Sequence, residues 1–348
     1  MPEQINTLTG WFNTTIVGSS LWSGLGLVAA GIAGLILFWI ILQQIARAAR
    51  GLSAVMASRK RRSTQGFGIA VAPIIGSNGT GQTKAIVAAL EEHLSLFTFG
   101  SPYEVVRAPR IRTKGAQGLR AAATQYLESS ATDLVVWGHR LRGKQQPSRI
   151  DILSCGGSLA PAEADHLEGL FPYITAGNDA TTSRVAAYLV ARALQPGLSD
   201  GTAFKAEKLA PVADILVTCL DDSDALPART RLTLEHDYSS MALHLGGEAH
   251  LSRVAELRRK RLSSAETLAP TFEVQARIDL GRALLGLSSI NFDPVRVREA
   301  MDHLKIAVEL LKHDPVLQLA QVTNQAVQQG QSMLANRKRF SVTGGSTI

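Results

Sequence analysis

The sequence predicts three consecutive parts: one N-terminal transmembrane helix, a small α/β or α+β domain, and an all-α layer of helical repeats. Three observations predict it. The stretch Leu21 to Leu42, LWSGLGLVAAGIAGLILFWIIL, contains no charged side chain. From Phe67, short apolar runs rich in Ile, Val and Ala alternate with segments of helical periodicity. Beyond Gly201 convincing strand-like runs cease, and amphipathic segments follow one another through short turns.

Residues 1–20 form a polar lead too short to fold alone, and 21–46 form the membrane helix. At about 1.5 Å per residue, Leu21–Leu42 extends roughly 33 Å, enough for a hydrocarbon core of about 30 Å. A core helix of a soluble protein rarely runs this long without a polar face. Trp22 and Trp39 stand near the two ends, where interfacial aromatic residues gather. Gly26, Ala30 and Gly34 recur every fourth residue on one face, so a second span can approach closely there and a homo-oligomer becomes possible.

Orientation follows from charge. Arg47, Arg50, Arg59, Lys60, Arg61 and Arg62 come directly after the span, whereas the lead carries Glu3 as its charged residue and no Lys or Arg. The positive-inside rule then predicts a single-pass protein of the inner (cytoplasmic) membrane, N-terminus out and soluble domains in the cytoplasm. The absence of a basic n-region argues against a cleaved signal peptide. Residues 47–66 read as a basic linker that fixes topology and, as a secondary effect, attracts anionic lipid.

Residues 67–198 read as the α/β domain. Phe67–Ile75, FGIAVAPII, predicts a buried strand, Thr83–Phe97 a helix and Tyr103–Ala108 a second strand. Ala116–Leu127 predicts a second helix with Leu119, Ala122, Ala123, Tyr126 and Leu127 inward. Asp133–Leu141 and Arg149–Cys155 read as two strands joined by a polar hairpin, and Thr182–Leu194 as a closing helix before Pro196 and Gly197. Residues 201–335 form the helical-repeat domain, with helices expected over Ala203–Leu220, Leu226–Leu245, Ala249–Leu268, Phe272–Leu287, Pro294–Lys312 and Val316–Ala335. Residues 336–348 read as a polar, disordered tail.

A net charge of +7 with 19% charged and 45% hydrophobic residues fits a chain that folds over most of its length. The two cysteines, Cys155 and Cys219, lack the spacing of a zinc site or a disulfide framework. Gly76–Thr83, GSNGTGQT, sits between a strand and a helix and aligns Gly76, Gly81 and Thr83 with a phosphate-binding loop, with Gly79 between them. Gln82 replaces the lysine that contacts phosphates and Lys84 comes two residues late, so hydrolysis of a nucleotide is not expected. Binding of a phosphorylated small molecule at this helix N-terminus is the sharper alternative to a plain Gly-rich connection. His139 with Cys155 supplies two ligands without a third, and no metal or other cofactor is expected. Asp221, Asp222 and Asp224 read as a solvated acidic turn. The run Arg258, Arg259, Lys260 and Arg261 lacks interleaved aromatics and reads as a solvated face, without nucleic acid as a partner. The Ser residues have no nucleophile-elbow context, and no complete catalytic constellation is present.

The helical segments carry a recognisable pattern. Leu280, Gly281 and Leu284 resemble the LGxxY first-helix motif of a tetratricopeptide repeat, with Leu for Tyr; Ala300, Leu304 and Ala307 resemble its second-helix motif. Pro315 follows, and Ala255 and Pro270 repeat the spacing of Ala300 and Pro315 in a poorer copy that starts at Tyr238. The preceding segment, with Ile69–Ile74 and Ala131–Gly138, resembles the TolB-like N-terminal domain found beside such repeats in bacterial signalling and scaffold proteins. The Gly-rich loop departs from that pattern. The resemblance implies non-enzymatic binding and assembly.

The expectation is therefore a membrane-anchored adaptor or scaffold, not an enzyme, that binds protein partners of a membrane-associated assembly. A membrane-tethered sensor using the Gly76–Thr83 loop, and a structural subunit held by the Gly26/Ala30/Gly34 face, are the alternatives.

Overall fold

A computed structural model describes residues 32–33, 35–36, 38–41, 43, 66–76, 79–111, 116–130, 132–140, 148–155, 165–168, 180–222, 226–264, 270–313 and 317–343. The chain divides into two compact units, Met1–Lys60 and Arg61–Ile348. In the first, the described residues between 32 and 43 are helical. Among the described residues no helix is long and apolar enough to cross a membrane. Most of Leu21–Leu42, including Gly26, Ala30 and Gly34, lies outside the described residues, as do Arg47, Arg50, Arg59, Lys60, Arg61 and Arg62.

The second unit is α+β. Its described elements are β1 (Phe67–Val71), α1 (Gly79–His93), β2 (Tyr103–Arg107), α2 (Ala116–Ser129), β3 (Leu134–Arg140), β4 (Ser148–Ser154), β5 (Asp165–Glu168) and then seven helices. These are α3 (Ala180–Leu194), α4 (Ala206–Asp221), α5 (Ala228–Leu245), α6 (Glu248–Ser263), α7 (Pro270–Ile290), α8 (Pro294–His313) and α9 (Leu317–Thr343). The strands form one mixed sheet in the order β2-β1-β3-β4-β5, parallel at β2/β1 and β1/β3, antiparallel at β3/β4 and β4/β5.

Both faces of the sheet are covered, and the period-2 alternation of strand side chains sorts them. Ile69 and Val71 of β1, Leu134 and Val136 of β3, and Ile150 and Ile152 of β4 pack with Ile86 and Leu90 of α1 and Val185 and Tyr188 of α3. Their neighbours Ala70, Val135, Trp137 and Leu153 turn to the other face, against Ala123 and Leu127 of α2. Strands buried on both sides read as continuous apolar runs, which is the pattern of FGIAV and LVVW.

The first face does not stop at α3. Its apolar core runs on through Leu209 and Val212 of α4, Tyr238 and Met241 of α5, Val254 of α6, Leu284 of α7 and Val297 of α8. The boundary read at 198–201 therefore has no break in the core beneath it. From α6 onward each helix packs on its successor in the chain. Of the tail expected to be disordered from 336, the part as far as Thr343 belongs to α9, and 344–348 lie outside the described residues.

Candidate functional site

The Gly-rich turn closes on itself. Helix α1 starts at Gly79, four residues earlier than its periodicity predicts, and Gly79 is buried against β1's continuation. A Cβ on Gly79 would stand 2.1 Å from the Ile74 carbonyl oxygen, so a larger residue cannot occupy this approach. The Thr83 hydroxyl donates to the Gly79 carbonyl at 2.7 Å and accepts from the Ile74 N–H at 3.0 Å. Gln82 is buried with Thr83, whereas Lys84 is exposed. Ile75 N–H donates to the Gly138 carbonyl at 2.9 Å, so the chain leaving β1 stays on the flank of β3. That flank is the switch point where parallel sheets commonly receive ligands. Gly76 is exposed and Gly81 half-buried, while Ser77 and Asn78 lie outside the described residues. Of the four loop residues singled out by sequence, Gly79 and Thr83 thus serve the strand-to-helix joint.

His139 and Cys155 are not brought together. His139 pairs with Arg149 at one end of the β3/β4 ladder, and Cys155 follows Ser154 at the other. Burial and the nearby Asp133 carboxylate raise the Cys155 thiol above its ordinary value. Among the described residues no group of three His, Cys, Asp or Glu side chains could hold a metal ion. Asp221 pairs with Arg253 of α6, and Asp222 accepts from Thr181 of α3 at 3.4 Å, while both remain exposed; Asp224 lies outside the described residues.

The residues that resemble a repeat motif meet at the α7/α8 interface. Leu280, Leu284, Ala300, Leu304 and Ala307 are all buried. A Cβ on Gly281 would lie 2.6 Å from Leu304 Cγ and 3.3 Å from the Ala300 carbonyl oxygen. Gly281 therefore lets α8 rest directly on the α7 backbone.

The basic run is only partly a solvated face: Arg259 and Lys260 are exposed, Arg261 is half-buried and Arg258 is buried. Residues one apart on a helix point about 100° apart, so its arginines reach different neighbours. Arg258 is 5% exposed and donates to Asp279 on α7 at 2.7 Å. Arg261 forks onto both Glu235 carboxylate oxygens on α5 at 2.9 Å. Arg259 forks onto Glu299 on α8 at 2.9 and 3.0 Å. Charge-assisted pairs of this geometry link α6 to α5, α7 and α8. Farther along, Asp237 is buried between Tyr188 at 3.0 Å and Arg192 at 2.5 Å; burial raises its carboxyl above the ordinary value against the opposing pull of Arg192.

Two clefts flank the α7–α8 turn. The first, about 400 Å³, lies on α7 between the Gly246–Gly247 turn and α9, with Leu251, Val322 and Ala326 among its walls and Arg282, Gln325 and Gln329 as its polar groups. The second, about 360 Å³, carries Arg259, Glu299, Asp293 and Arg296, whose charges answer one another. Between them the turn exposes Ile290 at 54%, Phe292 at 41% and Val295 at 66%. Sequence reading missed this surface, because its walls come from α5, α6, α7 and α9 and no local motif unites them.

No family model, curated protein or solved structure matches this chain.

Proposed function

We propose that this protein is a single-span, membrane-anchored, non-enzymatic adaptor whose helical layer binds a protein partner of a membrane-associated assembly. The observation that carries the reading is the exposed apolar turn Ile290, Phe292 and Val295 set between two clefts. Apolar side chains grouped with shaped depressions are the common ground of protein contacts. The resemblance of the α7/α8 residues to a tetratricopeptide hairpin points the same way.

The anchor rests on the apolar stretch and on side-chain exposure. Ile32, Leu35, Ile36, Phe38, Trp39, Ile40 and Ile41 are each about half exposed or more. Successive positions there point around the whole helix, and an apolar helix without a polar face is suited to lipid. The charge asymmetry favours an N-terminus outside and the second unit in the cytoplasm.

Crosslinking in native membrane, followed by purification of the full chain in detergent, tests the reading. A partner crosslinked to α7 or α8, and lost when Ile290 and Val295 are changed to Asp, is the expected result. Turnover of a nucleotide or ester by the purified chain, abolished by Gln82→Ala, would overturn it. A C-terminal reporter active on the outer side of the membrane would overturn the orientation.

A further inference from the structure

Resting on the adaptor reading, the structure assigns the Arg282 cleft to an extended, acidic segment of the partner protein. The first ground is charge. Arg192, Arg253, Arg258, Arg259, Arg261 and Arg277 each face a carboxylate within the fold. Arg282 is half-buried in its cleft and has no hydrogen-bond or ion-pair partner among the described residues. No carboxylate stands among the described residues that line the cleft. The neighbouring cleft shows the contrast, since its arginines are answered by Glu299 and Asp293. A half-buried guanidinium without a counter-ion favours a ligand that brings one, and its planar fork suits a carboxylate.

The second ground is spacing. Gln325 and Gln329 line the α9 side of the cleft, and each is exposed without a partner among the described residues. Residues four apart on a helix stand about 5–6 Å apart at Cβ. An extended chain repeats every second residue at about 6.6 Å. Each carboxamide offers both donors and an acceptor, so the pair can meet the backbone N–H and C=O groups of alternate peptide residues. Leu251, Val322 and Ala326 supply apolar walls for one side chain between those contacts, and Ile290 stands at the rim.

The test presents the full chain in detergent micelles to a library of fluorescein-labelled hexapeptides randomised at every position, with capped termini. Retained peptides are expected to share Asp or Glu at one position, and Asn or Gln there should weaken binding tenfold or more, about the cost of losing a charge-assisted hydrogen bond. Arg282→Gln should produce the same loss, and Arg282→Lys a smaller one. Gln329→Glu, which adds a like charge without changing size, should repel the acidic peptides and spare neutral ones. Thermal melting of each variant must match the parent, as expected for side chains without partners among the described residues. Selected peptides that are indifferent to the acid, or to Arg282→Gln, would overturn the inference while leaving the helical layer as a binding surface. Retention of no peptide would overturn it as well. The adaptor reading is judged separately, by the partner captured from native membrane.

Discussion

Replacing Gly281 by Ala sets two opposed effects against each other, and the structure decides which wins. Ala exceeds Gly in helix propensity by about 0.8–1.0 kcal/mol, so on local grounds Gly281→Ala should stabilise α7. The new Cβ, however, would come 2.6 Å from Leu304 Cγ and 2.9 Å from its Cδ2, with the Ala300 carbonyl oxygen at 3.3 Å. Leu304 and Ala300 are fully buried, so neither can yield toward solvent. Overpacking of this kind costs about 1–3 kcal/mol. The net expectation is a loss of about 1–2 kcal/mol, read as a lowered urea midpoint at unchanged slope. Gly286→Ala is the internal control, since there a Cβ meets the end of the Leu251 side chain at 2.9 Å, which can rotate away. It should be neutral or stabilising. Trimming the partner provides a cycle: Leu304→Ala alone leaves a cavity, but in the Gly281→Ala background it should cost less than the sum of the two. A Gly281→Ala variant as stable as Gly286→Ala would refute the close α7/α8 approach.

Three further outcomes follow from the same geometry. Thr83→Val removes two hydrogen bonds at the start of α1 and should cost about 1–3 kcal/mol in urea unfolding by leaving the buried Ile74 N–H without an acceptor. Arg258→Ala leaves Asp279 buried beside Gln275 without its cation and should cost about 3–5 kcal/mol, whereas Arg258→Met with Asp279→Leu should recover most of it; equal losses in the two would refute the pairing. His303 has its pKa lowered from the ordinary 6.5 by burial and by the neighbouring Arg277 cation, with Arg259 adding to it and Glu299 and Asp302 opposing. A depressed histidine stabilises the fold fully above the unfolded value, and that contribution is lost as pH falls through the folded one. Urea midpoints should therefore drop from pH 7 toward pH 5, and His303→Gln should flatten that part of the profile.

Much of the fold is legible in the chain because its elements have strong local periods. The helices from Ala206 to His313 appear within a few residues of their periodic segments, and the strands LVVW and RIDILS pair as adjacent partners. Where the reading slips, a tertiary cause is identifiable. Gly79 to Gly81 have poor helix propensity, yet α1 includes them because Thr83 bonds back to Gly79 and to Ile74. Strand β5, Asp165–Glu168, has no β-branched residue and is defined by its pairing with β4. The arginines from 258 to 261 look alike in sequence, but only the positions of Glu235, Asp279 and Glu299 separate a buried one from a surface one. Arg282 has no local signature at all, because what sets it apart is its place in a cleft whose described lining residues include no carboxylate.

The helical layer thus combines two uses of arginine. Arg258 and Arg261 join α6 to α5 and α7 through carboxylates that are themselves buried, which makes their partners specific to this arrangement of helices. Removing one member leaves an uncompensated charge, so such pairs favour one helical register over its alternatives more than they add net stability. With that register fixed, the walls contributed by α5, α6, α7 and α9 hold Arg282 and the two glutamines in a constant mutual geometry. A recognition surface gains affinity when its groups need no further ordering on binding. The buried pairs and Arg282, which is unpaired among the described residues, are then parts of one device, and the Arg258→Ala variant should weaken acidic-peptide binding even under conditions where it remains folded, whereas the apolar double replacement should restore it.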